Sequence, residues 1–165
     1  MRGSYEKPGA PGVNNFETID GLWVVDQLKK GVKVGFIGGG EHSGTALGGL
    51  LVSELTRKGL YDAFRARRCY ATSGLNATID FRSGDTPMGG VVNPGDTAFQ
   101  FAAEAAEAIH ELQIVLNGEE WRQIPGNGLD LRQEWQISLK KGDFCYCRLI
   151  FKNNEIIWTS PIWAE

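Results

Sequence analysis

The second part of the chain alternates apolar and polar residues with a period of two, and this pattern limits the possible folds more than any other. Successive side chains of a β-strand point to opposite faces, so such alternation predicts strands with one buried face. The apolar runs are Ala77, Ile79 and Phe81; Phe99 and Phe101; Leu112, Ile114 and Leu116; Trp135, Ile137 and Leu139; then Phe144 and Tyr146, followed at the same spacing by Arg148. Turn signals such as Asn93-Pro94-Gly95-Asp96 and Asn117-Gly118 separate the runs. The pattern predicts an antiparallel β-sandwich over residues 76–165.

One segment of this part has conflicting signals. Residues 102–112, AAEAAEAIHEL, have a composition typical of a helix. They lie between two strand patterns, however, and Ile109 to Leu116 alternates with period two. We therefore expect strand for most of this segment.

The first 75 residues have a different character. After an irregular arm, Ile19, Leu22, Trp23 and Leu28 fit a helical stripe between Thr18 and Gly31. Val32 to Ile37 then predicts a buried strand. Thr56 can cap a second helix, in which Leu60, Tyr61 and Phe64 are expected to face inward and Leu55 to pack on Leu60. The order predicts a short α/β segment.

Charge and hydropathy exclude several classes of function. The chain has 165 residues and a net charge of −3, with no long basic run, so nucleic-acid binding is not expected. No apolar window reaches the roughly 18 residues of a membrane span, and the first residues do not resemble a signal peptide. We therefore expect a cytoplasmic protein without membrane contact. Cys145 and Cys147, two apart on a predicted strand, are expected to be buried thiols.

A possible site follows the predicted Val32–Ile37 strand. Gly38-Gly39-Gly40 leads to Glu41 and His42, a carboxylate next to an imidazole, and these two residues are our candidate catalytic and metal-binding pair. The alternative is a solvated loop pair. The glycines could also cradle a phosphate with their N–H groups. Arg68 is a candidate contact for an anionic substrate, although arginines near a helix are commonly solvated.

Several motifs together resemble a known family. They are Gly39-Gly40-Glu41-His42, Leu55-Thr56-Arg57, Arg67-Arg68-Cys69-Tyr70-Ala71-Thr72-Ser73-Gly74, the final Trp158–Trp163 segment and Arg2-Gly3-Ser4-Tyr5-Glu6. This combination resembles the C-terminal part of metallohydrolases of the polymerase-and-histidinol-phosphatase (PHP) superfamily that carry an appended β-rich domain.

The resemblance implies an α+β fold in two parts. Residues 1–75 would be the C-terminal segment of a PHP-like α/β metal-binding barrel, and residues 76–165 an antiparallel β-sandwich. The implied activity of the parent enzyme is metal-dependent hydrolysis of a phosphoester, with Zn, Mn or Fe as cofactor. His42 would be a metal ligand and Glu41 a ligand or general base, and the substrate would be a small anionic molecule.

Two departures from the family pattern argue against activity in this chain alone. Glu41 stands where the family has Asp, and the chain contains only two histidines, His42 and His110. Hydrolytic metal sites need at least three protein ligands. We therefore expect a C-terminal fragment of a hydrolase that is inactive alone and forms a homo-oligomer; the parent enzyme would bind the metal, and this chain would either retain a metal site or have none. The competing hypothesis is a non-catalytic β-sandwich binding or assembly module.

Overall fold

Strands dominate the computed structural model, which describes residues 5–11, 21–40 and 44–165. The helices of this described part are α1 (Val24–Lys29) and α2 (Arg57–Arg65). Its strands are β1 (Leu47–Leu50), β2 (Cys69–Thr72), β3 (Ala77–Ser83), β4 (Thr86–Pro87), β5 (Val91–Val92), β6 (Gly95–Leu116), β7 (Glu119–Leu139), β8 (Phe144–Phe151), β9 (Ile156–Thr159) and β10 (Ile162–Ala164).

The strands form a single sheet that is organised by the long β6–β7 hairpin. The order is β1-β2-β9-β8-β6-β3-β4, with β7 on the other side of β6 and β10 between β8 and β5. The first half of β6 pairs with β3, and its second half pairs with β8. Between these halves the register shifts at Glu104–Ile109 and Ile109–Glu111. Such irregularities bend strands, so the sheet curls and its two halves face each other.

The main core fills the space between these halves. Phe81, Phe99 and Trp135 come from the first half, and their rings stack at centroid distances of 5.6–6.1 Å. Leu112 and Leu149 belong to the second half and join the same buried cluster. The apolar residues that alternate with period two in the sequence therefore form the core between the two halves of the sheet.

The outer face of the second half is covered too, by the N-terminal part of the chain. Phe144 and Tyr146 of β8 point away from the main core and pack with Leu28 of α1. Val34 and Phe36, in the extended segment that follows α1, pack against the same cluster. Strand β8 is consequently buried on both faces, and its residues 144–149 and 151 are all buried.

The structure confirms most predicted strands and turns after residue 76. Residues 102–112 lie within β6, so the period-two pattern outweighs their helix propensity. Asn117 and Gly118 link β6 to β7 with positive φ angles of 54° and 81°. These angles suit the two central positions of a type I′ hairpin turn.

The predicted α+β fold is wrong, because strands dominate the described residues and the described part of residues 1–75 does not form the α/β segment. Residues 32–40 are all described and form no strand. The apolar run at 32–37 lies on the outer face of the sheet without joining it, and Phe36 N donates to Ser160 Oγ at 2.8 Å. Val34 and Phe36 are partly buried there, whereas Val32 and Ile37 are exposed, so the run is neither a strand nor buried throughout. In place of a barrel remnant, β1 and β2 extend the same sheet through β9. The proposed division at residue 75 stays a prediction.

The helices also differ from their predicted packing. Thr56 caps α2 as expected, since its Oγ1 accepts from Gly59 N at 3.0 Å. Tyr61, Phe64 and Leu55 are nevertheless exposed, so there is no inward stripe and no staple. Near α1, Trp23 and Leu28 are buried but Leu22 is exposed, and Ile19 lies outside the described residues.

Strand β7 has one long edge that pairs with no other strand in the described part of the chain. Pro125 within it lacks an N–H group. Register shifts interrupt its pairing with β6 on both sides of Pro125. Proline and bulges are features that block the addition of another strand.

The tight contact at Gly89 gives a stability prediction. Gly89 and Gly142 both have positive φ, +86° and +91°, but a Cβ on Gly89 would lie 2.3 Å from Arg67 O, whereas one on Gly142 meets nothing within 4 Å. We expect Gly142→Ala to cost about 1–2 kcal/mol from its backbone conformation, and Gly89→Ala about 1–3 kcal/mol more from overpacking. Urea unfolding of both variants measures the difference; equal costs would contradict the contact.

Candidate functional site

Strand register places a row of side chains across the outer face of the sheet. Ala71 of β2 pairs with Trp158 of β9, and Trp158 pairs with Arg148 of β8. Arg148 in turn pairs with Gln113 of β6. Directly paired residues point to the same face. The row thus joins four strands, with a buried arginine near its centre.

Glu6 neutralises this arginine from a distant part of the sequence. The side chains of Glu6 and Arg148 are only 2% and 3% exposed. Arg148 Nε donates to Glu6 Oε1 and Oε2 at 2.8 and 3.0 Å, and Nη2 donates to Oε1 at 2.6 Å. This is a charge-assisted contact with two donors, the strong type of ion-pair geometry.

Further donors surround the Glu6 carboxylate. Trp158 Nε1 donates to its Oε2 at 2.9 Å, and the Tyr146 hydroxyl donates to its Oε1. On the other side, Arg148 Nη1 donates to Gln113 Oε1 at 2.9 Å. Buried charges are tolerated when they are paired and hydrogen-bonded, as they are here.

The network changes the acidity of its members. Burial raises the pKa of Tyr146 well above its usual value, and the adjacent negative charge of Glu6 raises it further. Burial by itself would lower the pKa of Arg148, but the hydrogen bonds and charge of Glu6 raise it overall. Arg148 is therefore charged and Tyr146 neutral at physiological pH.

The arm that carries Glu6 is held against α1 by backbone contacts. Val24 N donates to Tyr5 O at 2.9 Å, and Val25 N donates to Glu6 O at 3.0 Å. These N–H groups belong to the first turn of α1, where they have no partner within the helix. An exposed ion pair between Lys7 and Glu119, at 2.8 Å, ties the arm to β7.

A cavity of about 480 Å³ lies beside this network. Glu6 and Trp158 line it, together with the row residue Ala71. The other lining residues are Tyr5, Val24, Val34, Gly35, Phe36, Ile37, Gly38, Gly39, Thr45, Ala46, Thr72 and Ser73. Its size and its mainly apolar walls with a few polar groups are typical of small-molecule sites.

The described residues that line the cavity carry little net charge. Glu6 is its acidic lining residue, and the adjacent Arg148 balances that charge. None of the described residues that line the cavity is a lysine or arginine. Polar contacts can come from the Thr45 hydroxyl, and glycine backbone is present at Gly38 and Gly39. The surroundings therefore suit an uncharged molecule better than an ion.

The predicted site residues are not brought together in the described part of the structure. Glu41 and His42 lie outside the described residues, although Gly38-Gly39 before them and Thr45-Ala46 after them line the cavity. Arg68 is exposed and is not a lining residue. The described residues contain no group of three His, Cys, Asp or Glu side chains that could hold a metal ion. The metal, its ligands and an anionic substrate stay predictions.

The sequence contained one unused signal for the real network. Arg148 continues the alternation of Phe144 and Tyr146, so the sequence has a charged residue at a position where the alternation predicts a buried one. A buried arginine requires a carboxylate partner. The pattern could not show that Glu6, 142 residues away, supplies it. Cys145 and Cys147 are free and buried, as predicted, and so is Cys69, for which no prediction was made; burial raises the pKa of each thiol.

Comparisons with known proteins identify distant relatives whose roles are not described. The chain is similar to uncharacterised proteins of Chlamydia pneumoniae and Chlamydia trachomatis, with 24% identity over 178 residues in each case. A protein of Chlamydia muridarum is 23% identical over 177 residues. In all three, the match covers 86% of this chain but spans only 28% of the relative's length. No family model matches the chain.

Among solved structures, the chain is similar to a lytic polysaccharide monooxygenase from Jonesia denitrificans that was determined by neutron crystallography. The match covers 86% of this chain and 93% of the monooxygenase chain. The TM-score is 0.37 and the identity 10%. A superposition this loose supports no argument about fold or function.

The PHP assignment made from the sequence is wrong. No PHP model matches, and the structure has a curled β-sheet where the assignment required an α/β barrel segment. The motifs do adopt local structures that were expected, such as the α2 start at Thr56 and strand β2. Short motifs specify local conformation, and here they did not specify the fold. The metal-dependent phosphoesterase prediction falls with the assignment.

No helix in the described part of the chain is long and apolar enough to cross a membrane. The cytoplasmic location stays a prediction.

Breaking the buried pair should be costly. We expect Glu6→Gln to lower the free energy of unfolding by about 3–5 kcal/mol, because it leaves the Arg148 charge buried without its counter-charge. Lys7→Gln, at the next position, removes only the exposed pair with Glu119 and should cost less than about 1 kcal/mol. Urea unfolding of the two variants provides the test. Similar losses in both variants would show that the buried ion pair contributes no more to the free energy of unfolding than the exposed pair does.

Tyr146 should make stability depend on alkaline pH. Its pKa is raised in the folded protein, so its contribution is fully present below the ordinary tyrosine pKa of about 10 and is lost as pH rises through the folded value. The free energy of unfolding, measured below and above about pH 10, should fall more steeply with rising pH in the wild type than in Tyr146→Phe. The buried thiols remain in both proteins, so the difference isolates the phenol. Parallel curves would contradict the raised pKa.

Proposed function

We propose that this chain is a non-catalytic β-rich binding module whose ligand site is the cavity on the outer face of the sheet. The observation that carries the proposal is the cavity itself, about 480 Å³ and mainly apolar, beside a buried and neutralised ion pair. Pockets of this size with few polar groups are the usual sites for small ligands.

The arrangement suits binding better than chemistry. The Glu6 carboxylate accepts hydrogen bonds from Arg148, Tyr146 and Trp158, so its lone pairs are already engaged. A general base needs a carboxylate that can accept a proton from a substrate. The role that fits Glu6 is to fix the arm and Trp158 and so give the cavity a permanent shape. A preformed site loses less entropy when its ligand binds.

The lining favours one chemical class of ligand. Trp158 and Phe36 offer aromatic surface, while the Thr45 hydroxyl offers a hydrogen-bonding group. An anion would find no lysine or arginine among the described lining residues, and a cation would have to compete with Arg148 for Glu6. We therefore expect a small uncharged molecule with an apolar, ring-containing body.

Three probes of the same shape test this charge preference. Benzamide, benzoate and benzamidine share a ring and differ in charge. We expect benzamide to bind most tightly of the three. Binding is monitored by NMR through chemical-shift changes of the Trp158 indole and of the Gly38 and Thr45 amides. Ala71→Phe should abolish binding because its ring fills the cavity. Ala98→Phe, at an exposed position of β6 outside the cavity, is the matched control.

The outcomes separate the alternatives. Preference for benzoate would favour the anionic ligand that the sequence predicted over the neutral one. The cavity would be overturned as the ligand site if none of the three probes bound. It would also be overturned if a probe bound the Ala71→Phe variant as tightly as the wild type while the thermal midpoint of that variant stayed close to the wild-type value.

A further inference from the structure

Helix α2 exposes large apolar side chains that the fold leaves uncovered. Tyr61 and Phe64 are 60% and 49% exposed, and Leu55, just before the helix cap, is 85% exposed. Ala63 is the buried residue of this helix. Residues three apart lie on one side of a helix, so Tyr61 and Phe64 are neighbours on its surface. Contiguous exposed apolar side chains mark interaction sites.

We propose that the α2 surface, defined as Tyr61 and Phe64, docks a second folded unit that presents an apolar patch ringed by carboxylates. The inference concerns a face outside the ligand cavity and does not depend on the proposed ligand.

The charge around the α2 surface selects this partner. Residues 54–68 contain five basic side chains and two acidic ones, although the whole chain has a net charge of −3. Asp62 is already paired with Lys58. Arg65 lies over the Tyr61 ring, with its guanidinium carbon 6.0 Å from the centroid.

Arg67 is engaged elsewhere, with its Nε donating to Gly89 O and its guanidinium over the Trp163 ring. The exposed Arg57, Arg65 and Arg68 of the same segment form what we call the basic rim. Complementary charge at a protein interface favours an acidic partner.

The same charge argues against a second copy of this chain as occupant. In a two-fold symmetric contact the same patch meets itself, so the basic rims of two copies would face each other. Like charges brought together in this way oppose association. A different folded unit satisfies both the apolar residues and their rim.

The relatives supply a candidate for that unit. This chain spans only 28% of the length of the Chlamydia pneumoniae protein, so that relative has much additional polypeptide beside the matching region. Contacts between domains of one polypeptide resemble protein interfaces of moderate size. We infer that the docked unit is a domain corresponding to this additional polypeptide.

The binding experiment uses that polypeptide as its probe. The part of the Chlamydia pneumoniae relative outside its match to this chain is produced alone, its cooperative thermal unfolding is verified, and the folded product is titrated with the full chain by calorimetry. We expect a dissociation constant of about 1–10 μM, and weaker binding when salt rises from about 50 to 300 mM because the charged rim is screened. The double variant Tyr61→Ser, Phe64→Ser should weaken binding at least about tenfold.

Matched controls separate the α2 surface from general stickiness. Leu129→Ser removes an equally exposed apolar side chain from β7, and Lys152→Glu reverses an exposed charge in the β8–β9 turn. Neither should change the affinity, whereas Arg65→Glu should lower it. The α2 residues are exposed, so thermal midpoints should stay at the wild-type value in all variants.

Two results would overturn the proposal. One is the absence of binding to the probe, or binding that the double variant leaves intact. The other is self-association of the chain, seen by sedimentation at about 100 μM, that Tyr61→Ser, Phe64→Ser abolishes. That second result would assign the surface to another copy and would support the homo-oligomer predicted from the sequence.

Discussion

The Glu6–Arg148 pair is the interaction on which the rest of the outer face depends. Arg148 lies on β8 with its neighbour Cys147 facing the main core, so a one-residue slip of β8 would exchange them. The slip would place a guanidinium among apolar side chains and a thiol against Glu6, and both changes are unfavourable. The buried charge therefore specifies the register of the strand, and not only its stability.

The same pair explains how a short irregular arm can build part of a binding site. Residues 5–11 form no strand and no helix, yet Glu6 is only 2% exposed. Its hydrogen bonds fix the arm on one side and Trp158 on the other, and the cavity lies beside both. Covering the sheet's outer face and shaping the cavity are thus results of one contact.

Local patterns predicted the strands better than the site. Period-two positions such as Ile79 and Phe99 identified the main core because their faces are set by neighbours in sequence. The network could not be predicted, since Glu6 and Arg148 are 142 residues apart and only the folded sheet brings them together. The Val32–Ile37 run shows the converse error: Val34 and Phe36 pack on the sheet, but packing on a sheet is not pairing within it. Motif matching failed for a related reason, since local conformations recur in unrelated folds.

The interrupted edge of β7 determines which kinds of aggregation are open to this protein. A long unpaired strand is normally a template on which further chains add through their backbones, the geometry of cross-β fibrils. With Pro125 and three register shifts along that strand, such growth has no continuous template. Association at this edge must then run through side chains, which salt and single substitutions can adjust.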